Sequence, residues 1–438
     1  MIAATYSELL DWLYGLEARK GMDFKLERIE LVLQELGRPE RKYPIVHIAG
    51  TNGKGSVAAM LHAMACGAGL EAGLYTSPHL IRFTERIRVG NDEISPEDVV
   101  RGAREVHRAA TLRGIELTFF EFTTVLAFQY FAQRKVPLAV IETGLGGRLD
   151  ATNVVLPQVC VITSIGFDHQ EFLGNSLASI ASEKAGIIKH GVPVVAGALP
   201  PEARAVIDSR ARSQNAPVWW AHSDFTWWGN DQCWSFRGPR GELGNVRLGL
   251  RGAHQCENAA VALATAQVLS DGLKWSEEVW RWGLENVRWP GRLEVLTERP
   301  LVILDGAHNV DGVRALVAAL PHLLGQRRVH LLFGVMSDKD WPAMVDILAP
   351  YVQSAVVTRP WPQRSADPAR LAERWRAWVP TRIEDDPAVA FEQIVNALRE
   401  DEVLLVAGSL FLVGQVRAAF FRHEGGREST SRIARADV

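Results

Sequence analysis

Short apolar runs alternate with amphipathic stretches along most of the 438-residue chain. Ile45–Ala49, Leu138–Ile141, Val159–Ile165 and Val192–Val195 are rich in β-branched residues and bounded by Gly or Pro, which predicts buried strands. Between them, Val57–Gly69 and Pro96–Leu112 space their apolar residues as helices do. The alternation predicts an α/β fold, a parallel sheet wrapped by helices, whose ligands gather beyond the carboxyl ends of the strands. From Pro217 to Gly252 the rhythm changes. Trp219, Trp220, Trp227, Trp228 and Trp234 stand among glycines and turn residues with partial alternation, which predicts antiparallel hairpins around a local apolar core. "RWPGRLEVL", Arg288 to Leu296, reads as a boundary, because a second α/β rhythm follows it. Its strand candidates are Leu301–Leu304, Val329–Phe333, Ala355–Thr358 and Val403–Ala407. Two domains are expected, residues 1–292 with a phosphate loop and residues 293–422 with a smaller Rossmann-like sheet, before a polar tail over 423–438.

Composition narrows the class. Hydrophobic residues are 47% and charged residues 23% of the chain, and the formal net charge is −3, so neither nucleic acid nor an anionic membrane is an expected partner. Cys66, Cys160, Cys233 and Cys256 have no paired spacing and read as free thiols of a reducing compartment. The N-terminus lacks a basic opening and a long apolar core, and no apolar run approaches the ~18 residues of a membrane span. A cytoplasmic protein is expected.

Several of these runs end in polar groups. "VHIAGTNGKGSV" has Gly50, Gly53 and Gly55 around Lys54 after a strand and before a helix. Such a loop brings backbone N–H groups and one ammonium onto a polyphosphate. A strict phosphate loop has a hydroxyl directly after its lysine to hold Mg²⁺; here Gly55 stands there and Ser56 follows. Mg²⁺ requires oxygen ligands, and Ser77 or Thr76 of "YTSPHL" is the candidate substitute. "PLAVIETGLGGRLDATN" ends a strand on Glu142, placed to hold a metal or aim a water. "VCVITSIGFDHQEFLG" places Asp168 and His169 in the same way. Lys184 in "SIASEKAGIIK" reads from the bare sequence as a solvated helix residue. In the second half Asp305 and His308 of "ILDGAHN", and Ser409 of "VAGSLF", follow strands.

Taken together and in this order, "HIAGTNGKGSV", "YTSPHL…ERIRV", "ETGLGGRLDATN", "ITSIGFDH", "EKAGIIK", "HQCENAA", "PGRLE", "DGAHN" and "GSLFLVG" resemble folylpolyglutamate synthases and bifunctional dihydrofolate synthases of the Mur ligase superfamily, from about Phe24 to Gly414. The resemblance implies ATP- and Mg²⁺-dependent amide formation between two domains. A carboxylate of dihydropteroate or a folate is phosphorylated and then attacked by the amine of L-glutamate. It implies that Gly53, Lys54, Gly55 and Ser56 contact the nucleotide phosphates, with Asn258, Arg292 and Asp305 as further ATP contacts. Two Mg²⁺ ions are implied, one on Ser77 and Glu142 and a second on His169. Lys184 is implied to be a carbamate that ligates the second metal, so that Lys54, His169 and Lys184 are the catalytic set. Thr118 and Leu149–Ala151, including Asp150, match the lining of the pterin pocket, and His308 and Ser409 are candidates on the glutamate or nucleotide side. Where the family reads "DLGLERI", this chain reads "DFKLERI", so Phe24 and Lys25 alter the pterin-contacting surface beside Leu26, which the two share. The partners implied are small molecules acting on a monomer. The alternatives are a cell-wall Mur-type ligase, which Gly55 argues against, and a phosphate-loop ATPase without synthetic chemistry, which the second domain argues against. A nicotinamide dehydrogenase is argued against because no good G-x-G-x-x-G follows a strand in this chain.

Overall fold

The computed structural model describes residues 5–20, 25–269, 275–325 and 327–425. It divides into two compact units, one of Met1–His79 with Phe83–Trp289 and one of Leu80–Arg82 with Pro290–Val438, so the division falls inside "RWPGRLEVL".

The first unit is built on eight strands: β1 (Ile45–Ala49), β2 (Gly73–Tyr75), β3 (Ile87–Val89), β4 (Asp92–Glu93), β5 (Ala139–Glu142), β6 (Val159–Ile162), β7 (Val194–Ala196) and β8 (Val218–Trp220). Their order is β4-β3-β2-β5-β1-β6-β7-β8. All neighbours from β2 to β8 run parallel, and β3 and β4 add an antiparallel edge. β1 is buried along its whole length, and its period of two sends successive side chains to opposite faces. Val46 and Ile48 pack on the helices Lys54–Gly67 and Ala253–Val268, while Ile45 packs on helices from the opposite side. Helix starts follow local chemistry. Ser95 caps Pro96–Leu112 through Asp98 N, and Thr118 and Glu121 form a reciprocal capping box on Phe119–Arg134.

Three sequence expectations shift here. The helix expected at Val57 begins at Lys54, because it starts on the phosphate loop itself. The strands expected over Val159–Ile165 and Val192–Val195 are shorter, β6 and β7 as given above. Val218–Trp220, expected in a hairpin, pairs parallel with β7 as the eighth strand. The remaining Trp-rich stretch is antiparallel as expected: β9 (Thr226–Asn230), β10 (Cys233–Gly238) and β11 (Gly241–Val246). Trp234 and Phe236 stack at 5.8 Å, and both lie within the core.

The second unit holds a six-stranded sheet of β12 (Glu294–Glu298), β13 (Leu301–Leu304), β14 (Val329–Phe333), β15 (Val352–Val357), β16 (Thr381–Ile383) and β17 (Val403–Ala407). The order is β12-β13-β17-β14-β15-β16, parallel except for β12. The last helix, Leu410–Gly425, runs into the segment expected as tail; residues 426–438 of that expectation lie outside the described residues. Among the described residues no helix is long and apolar enough to cross a membrane.

Candidate active site

The loop after β1 is fixed by its neighbours. Thr51 N donates to Ser164 O at 2.7 Å, Thr51 Oγ1 donates to Gly166 O and accepts from Gly166 N, and Asn52 N donates to Ser164 Oγ. Thr163 and Ser164 hydroxyls both donate to Asn52 O. The segment after β6 therefore braces the loop after β1. Gly53 has φ +84°, a left-handed conformation at the helix N-terminus that costs glycine little. A Cβ there would stand 2.4 Å from Asn258 Oδ1, so Asn258, nearly buried on the helix Ala253–Val268, reaches the loop. Asn258 is itself oriented by donating Nδ2 to Gln255 Oε1. Lys54 Nζ donates to Gly50 O at 3.0 Å and Thr51 O at 3.2 Å, within the arch of the loop. Ser56 is buried in the first turn of the helix.

Lys184 corrects the reading of the bare sequence. Its side chain is not solvated: it is 4% exposed and donates Nζ to Gly50 O at 2.9 Å. The reason is that the helix Leu177–Ala185 turns this side chain inward beneath the phosphate loop. Burial pulls its amine down from an ordinary 10.5 to about 7, and the Lys54 charge adds to the effect, while Asp168 and Asp150 oppose it. Two lysines thus share one carbonyl, and two carboxylates lie within electrostatic reach.

The neighbouring strand ends carry the oxygen donors. Glu142 closes β5, is 5% exposed, and accepts from Ser77 N at 3.1 Å through Oε2. The adjacent Thr143 Oγ1 is buried without a partner among the described residues. A carboxylate, the hydroxyl of Ser77 and an unpartnered hydroxyl are the hard donors that Mg²⁺ accepts. Among the described residues no three His, Cys, Asp or Glu side chains gather as a metal cage, and Mg²⁺ characteristically uses few protein ligands beside phosphates and water. His169 lies beyond β6 with φ 51° and ψ 39°, a left-handed histidine at a helix start. Its Nε2 is 3.9 Å from Asp168 Oδ1, and its backbone N donates to the same carboxylate oxygen.

The residues matched to a pterin pocket have local duties as well. Thr118 is buried as the helix cap described above. Asp150 is buried and accepts from Leu145 N at 2.8 Å, Thr152 N at 3.0 Å and Thr152 Oγ1. Burial raises its carboxyl, against these bonds. Leu149 is half-buried and Ala151 buried beside it. Lys25 is exposed at the start of the helix Leu26–Glu35, and Leu26 packs at the edge of the core. Phe24 lies outside the described residues.

In the second unit the remaining candidates meet at the carboxyl ends of β13 and β17. Asp305 accepts from Leu293 N at 2.9 Å and Ala307 N at 2.8 Å. A Cβ on Gly306 would come within 2.9 Å of Arg292 Nη1, so Arg292 lies against the "DGAHN" turn. His308 Nδ1 donates to Gly306 O, and Ser409 Oγ accepts from Phe411 N. Ala307 O accepts from Gly408 N, which joins the two strand ends.

Sequence reasoning missed Thr51, Thr163 and Ser164, whose hydroxyls brace the loop. "TSIG" after a strand was visible, but its partner across the sheet was not.

A phosphate loop at the carboxyl edge of one parallel sheet, followed by a second parallel sheet with its own strand-end cluster, defines a two-domain ligase of the Mur type. The Mur ligase middle domain matches residues 48–266 and the Mur ligase glutamate ligase domain matches residues 291–410. A folylpolyglutamate synthase of Lacticaseibacillus casei is 36% identical over 89% of this chain and 93% of its own length. The structure of Escherichia coli FolC in complex with DHPP and ADP superposes with a TM-score of 0.89 at 33% identity, covering 97% of this chain and 99% of that one. That of the bifunctional folylpolyglutamate synthase/dihydrofolate synthase of Yersinia pestis, complexed with AMPPNP and Mn ion, gives 0.87 at 33% identity over 96% and 99%. The chain belongs to the folylpolyglutamate synthase/dihydrofolate synthase family.

Proposed function

We propose that this chain is a cytoplasmic, monomeric ligase that uses ATP and Mg²⁺ to join L-glutamate to a pterin carboxylate, that of dihydropteroate, of a tetrahydrofolate polyglutamate, or of both. The observation that carries this reading is the meeting of the braced phosphate loop, the buried Lys184 and the Ser77–Glu142 pair at one sheet edge. Family membership adds the substrates. Glycine N–H groups, Lys54 and the helix N-terminus hold the triphosphate. Ser77 and Glu142 hold one Mg²⁺, and His169 with a Lys184 carbamate a second; bound metal neutralises charge on the phosphates. An oxygen of the pterin carboxylate attacks the γ-phosphorus and ADP leaves. The neutral amine of glutamate then attacks the acyl carbon, inorganic phosphate departs, and the amine proton is released as the amide forms. Asn258, Arg292 and Asp305 act on the nucleotide, His308 and Ser409 on the glutamate or nucleotide side. Lys25, Leu26, Thr118 and Leu149–Ala151 shape the pterin side.

Phosphate release from ATP with glutamate and either dihydropteroate or tetrahydrofolate tests the reading. Release with one acceptor assigns the substrate, release with both makes the chain bifunctional, and release with neither sinks the proposal. Ser77→Ala and Glu142→Ala are each expected to shift the Mg²⁺ titration of that activity upward by about tenfold or more. A wild-type titration in either variant would remove that residue from the metal site.

A further inference from the structure

Gly55 occupies the position at which a strict phosphate loop carries its metal-binding hydroxyl, and the reason for glycine there is on its doorstep. A Cβ built on Gly55 would lie 2.9 Å from Trp289 Nε1, 3.2 Å from its Cζ2 and 3.3 Å from its Cε2. The first distance is shorter than carbon side-chain contacts tolerate, so no side chain fits at 55 while the indole stays in place. Trp289 is half-buried and packs against the core beneath the loop. The direction in which a serine or threonine hydroxyl would leave the loop is thus filled by an indole, with its ring nitrogen as the nearest atom.

The exchange changes the chemistry. A hydroxyl has lone pairs and ligates a cation; an indole N–H donates only and ligates nothing. The first turn of the helix Lys54–Gly67, in which Gly55 lies, is itself a set of donors, backbone N–H groups at a helix N-terminus where the dipole favours negative charge, next to Lys54 in the chain. A donor added to a cluster of donors calls for an anion as the common acceptor. We propose that the Trp289 indole N–H is a phosphate contact that stands in place of the loop hydroxyl, donating to a phosphate oxygen of the bound nucleotide. Glycine at position 55 is the room it needs. This rests on the nucleotide reading above and deepens it: the loop gives up a metal ligand, which Ser77 supplies from β2's end, and gains an anion donor.

The test uses the full-length protein and ADP. Trp289→Phe keeps an aromatic ring and removes the N–H; it is expected to weaken ADP binding roughly tenfold, the scale of one hydrogen bond to a charged acceptor, with pterin affinity unchanged and only a modest fall in melting temperature from the lost packing of the larger ring. In unaltered, ¹⁵N-labelled protein the Trp289 indole resonance, assigned by its absence in Trp289→Phe or Trp289→Tyr, is expected to move when ADP is added and to stay in place with adenosine, which has no phosphate. An unmoved resonance at saturating ADP overturns the proposal, as does ADP affinity within twofold of wild type in Trp289→Phe. Lys54→Ala separates the two levels. If it loses ADP affinity while Trp289→Phe keeps it, only the indole contact falls; if Lys54→Ala also binds ADP normally, the nucleotide reading falls with it.

Discussion

Lys184→Arg is expected to lower turnover by on the order of a hundredfold to a thousandfold, the scale on which one preorganised charge matters in an active site, although arginine keeps the positive charge. The amine at 184 is buried against Gly50 O and titrates at about 7, so near neutral pH a large fraction is unprotonated and competent to take up CO₂. Guanidinium stays protonated and forms no such carbamate. Lys184→Ala should be equally inactive and, unlike Lys184→Arg, regain part of its activity from a small carboxylate such as acetate. Near-normal turnover in Lys184→Arg would end the carbamate reading. Stability carries a separate signature. The folded value lies below the unfolded one, so between about pH 7 and 10.5 the unfolded chain holds a proton that the native state has shed, and stability rises with pH in that window. The penalty of a buried ammonium is fully present below about 7. Thermal melts of wild type against Lys184→Met should diverge as pH falls toward 7 and converge toward 10; parallel curves would mean that the amine is not buried in solution.

Lys54→Ala should lose ATP-dependent phosphate release by a comparable factor while melting within a degree or two of wild type. Among the described residues its Nζ bonds two carbonyls of its own loop, and the loop is braced independently by Thr51, Asn52, Thr163 and Ser164. The same change removes the charge that helps hold the Lys184 amine down, so the pH dependence of whatever activity remains should move toward higher pH. Activity within a few-fold of wild type would remove Lys54 from the phosphate site.

The strands that carry the site were legible because their apolar runs are buried on both faces. β1 and β5 stand where the β-branched runs placed them, and β13, β14 and β17 match the second rhythm. Short strands at or beside the sheet edges escaped: β3, β4 and β16 have two or three residues, too few for a period. Val218–Trp220 was misplaced because tryptophans dominate both it and the hairpins that follow, and composition alone does not distinguish parallel from antiparallel pairing. Lys184 was misread on bare sequence because a helix with small neighbours gives no sign of which face is covered; the covering groups, Gly50 and Asp168, lie elsewhere along the chain. The glycine at 55 was visible as a departure, but its cause, Trp289, stands more than two hundred residues away.

The brace beneath the phosphate loop bears on kinetics. A loop of glycines would ordinarily sample many conformations, and a ligand that selected one would lose the entropy of all the others. Here the backbone of Thr51 and Asn52 is stitched to the turn after β6 through both its N–H groups and a carbonyl, so that restriction belongs to folding rather than to binding. The expected consequence is fast nucleotide capture whose rate does not saturate at high ATP, because no slow loop closure intervenes between encounter and seating. Thr163→Val, which drops one stitch, should bring such a slow step into view.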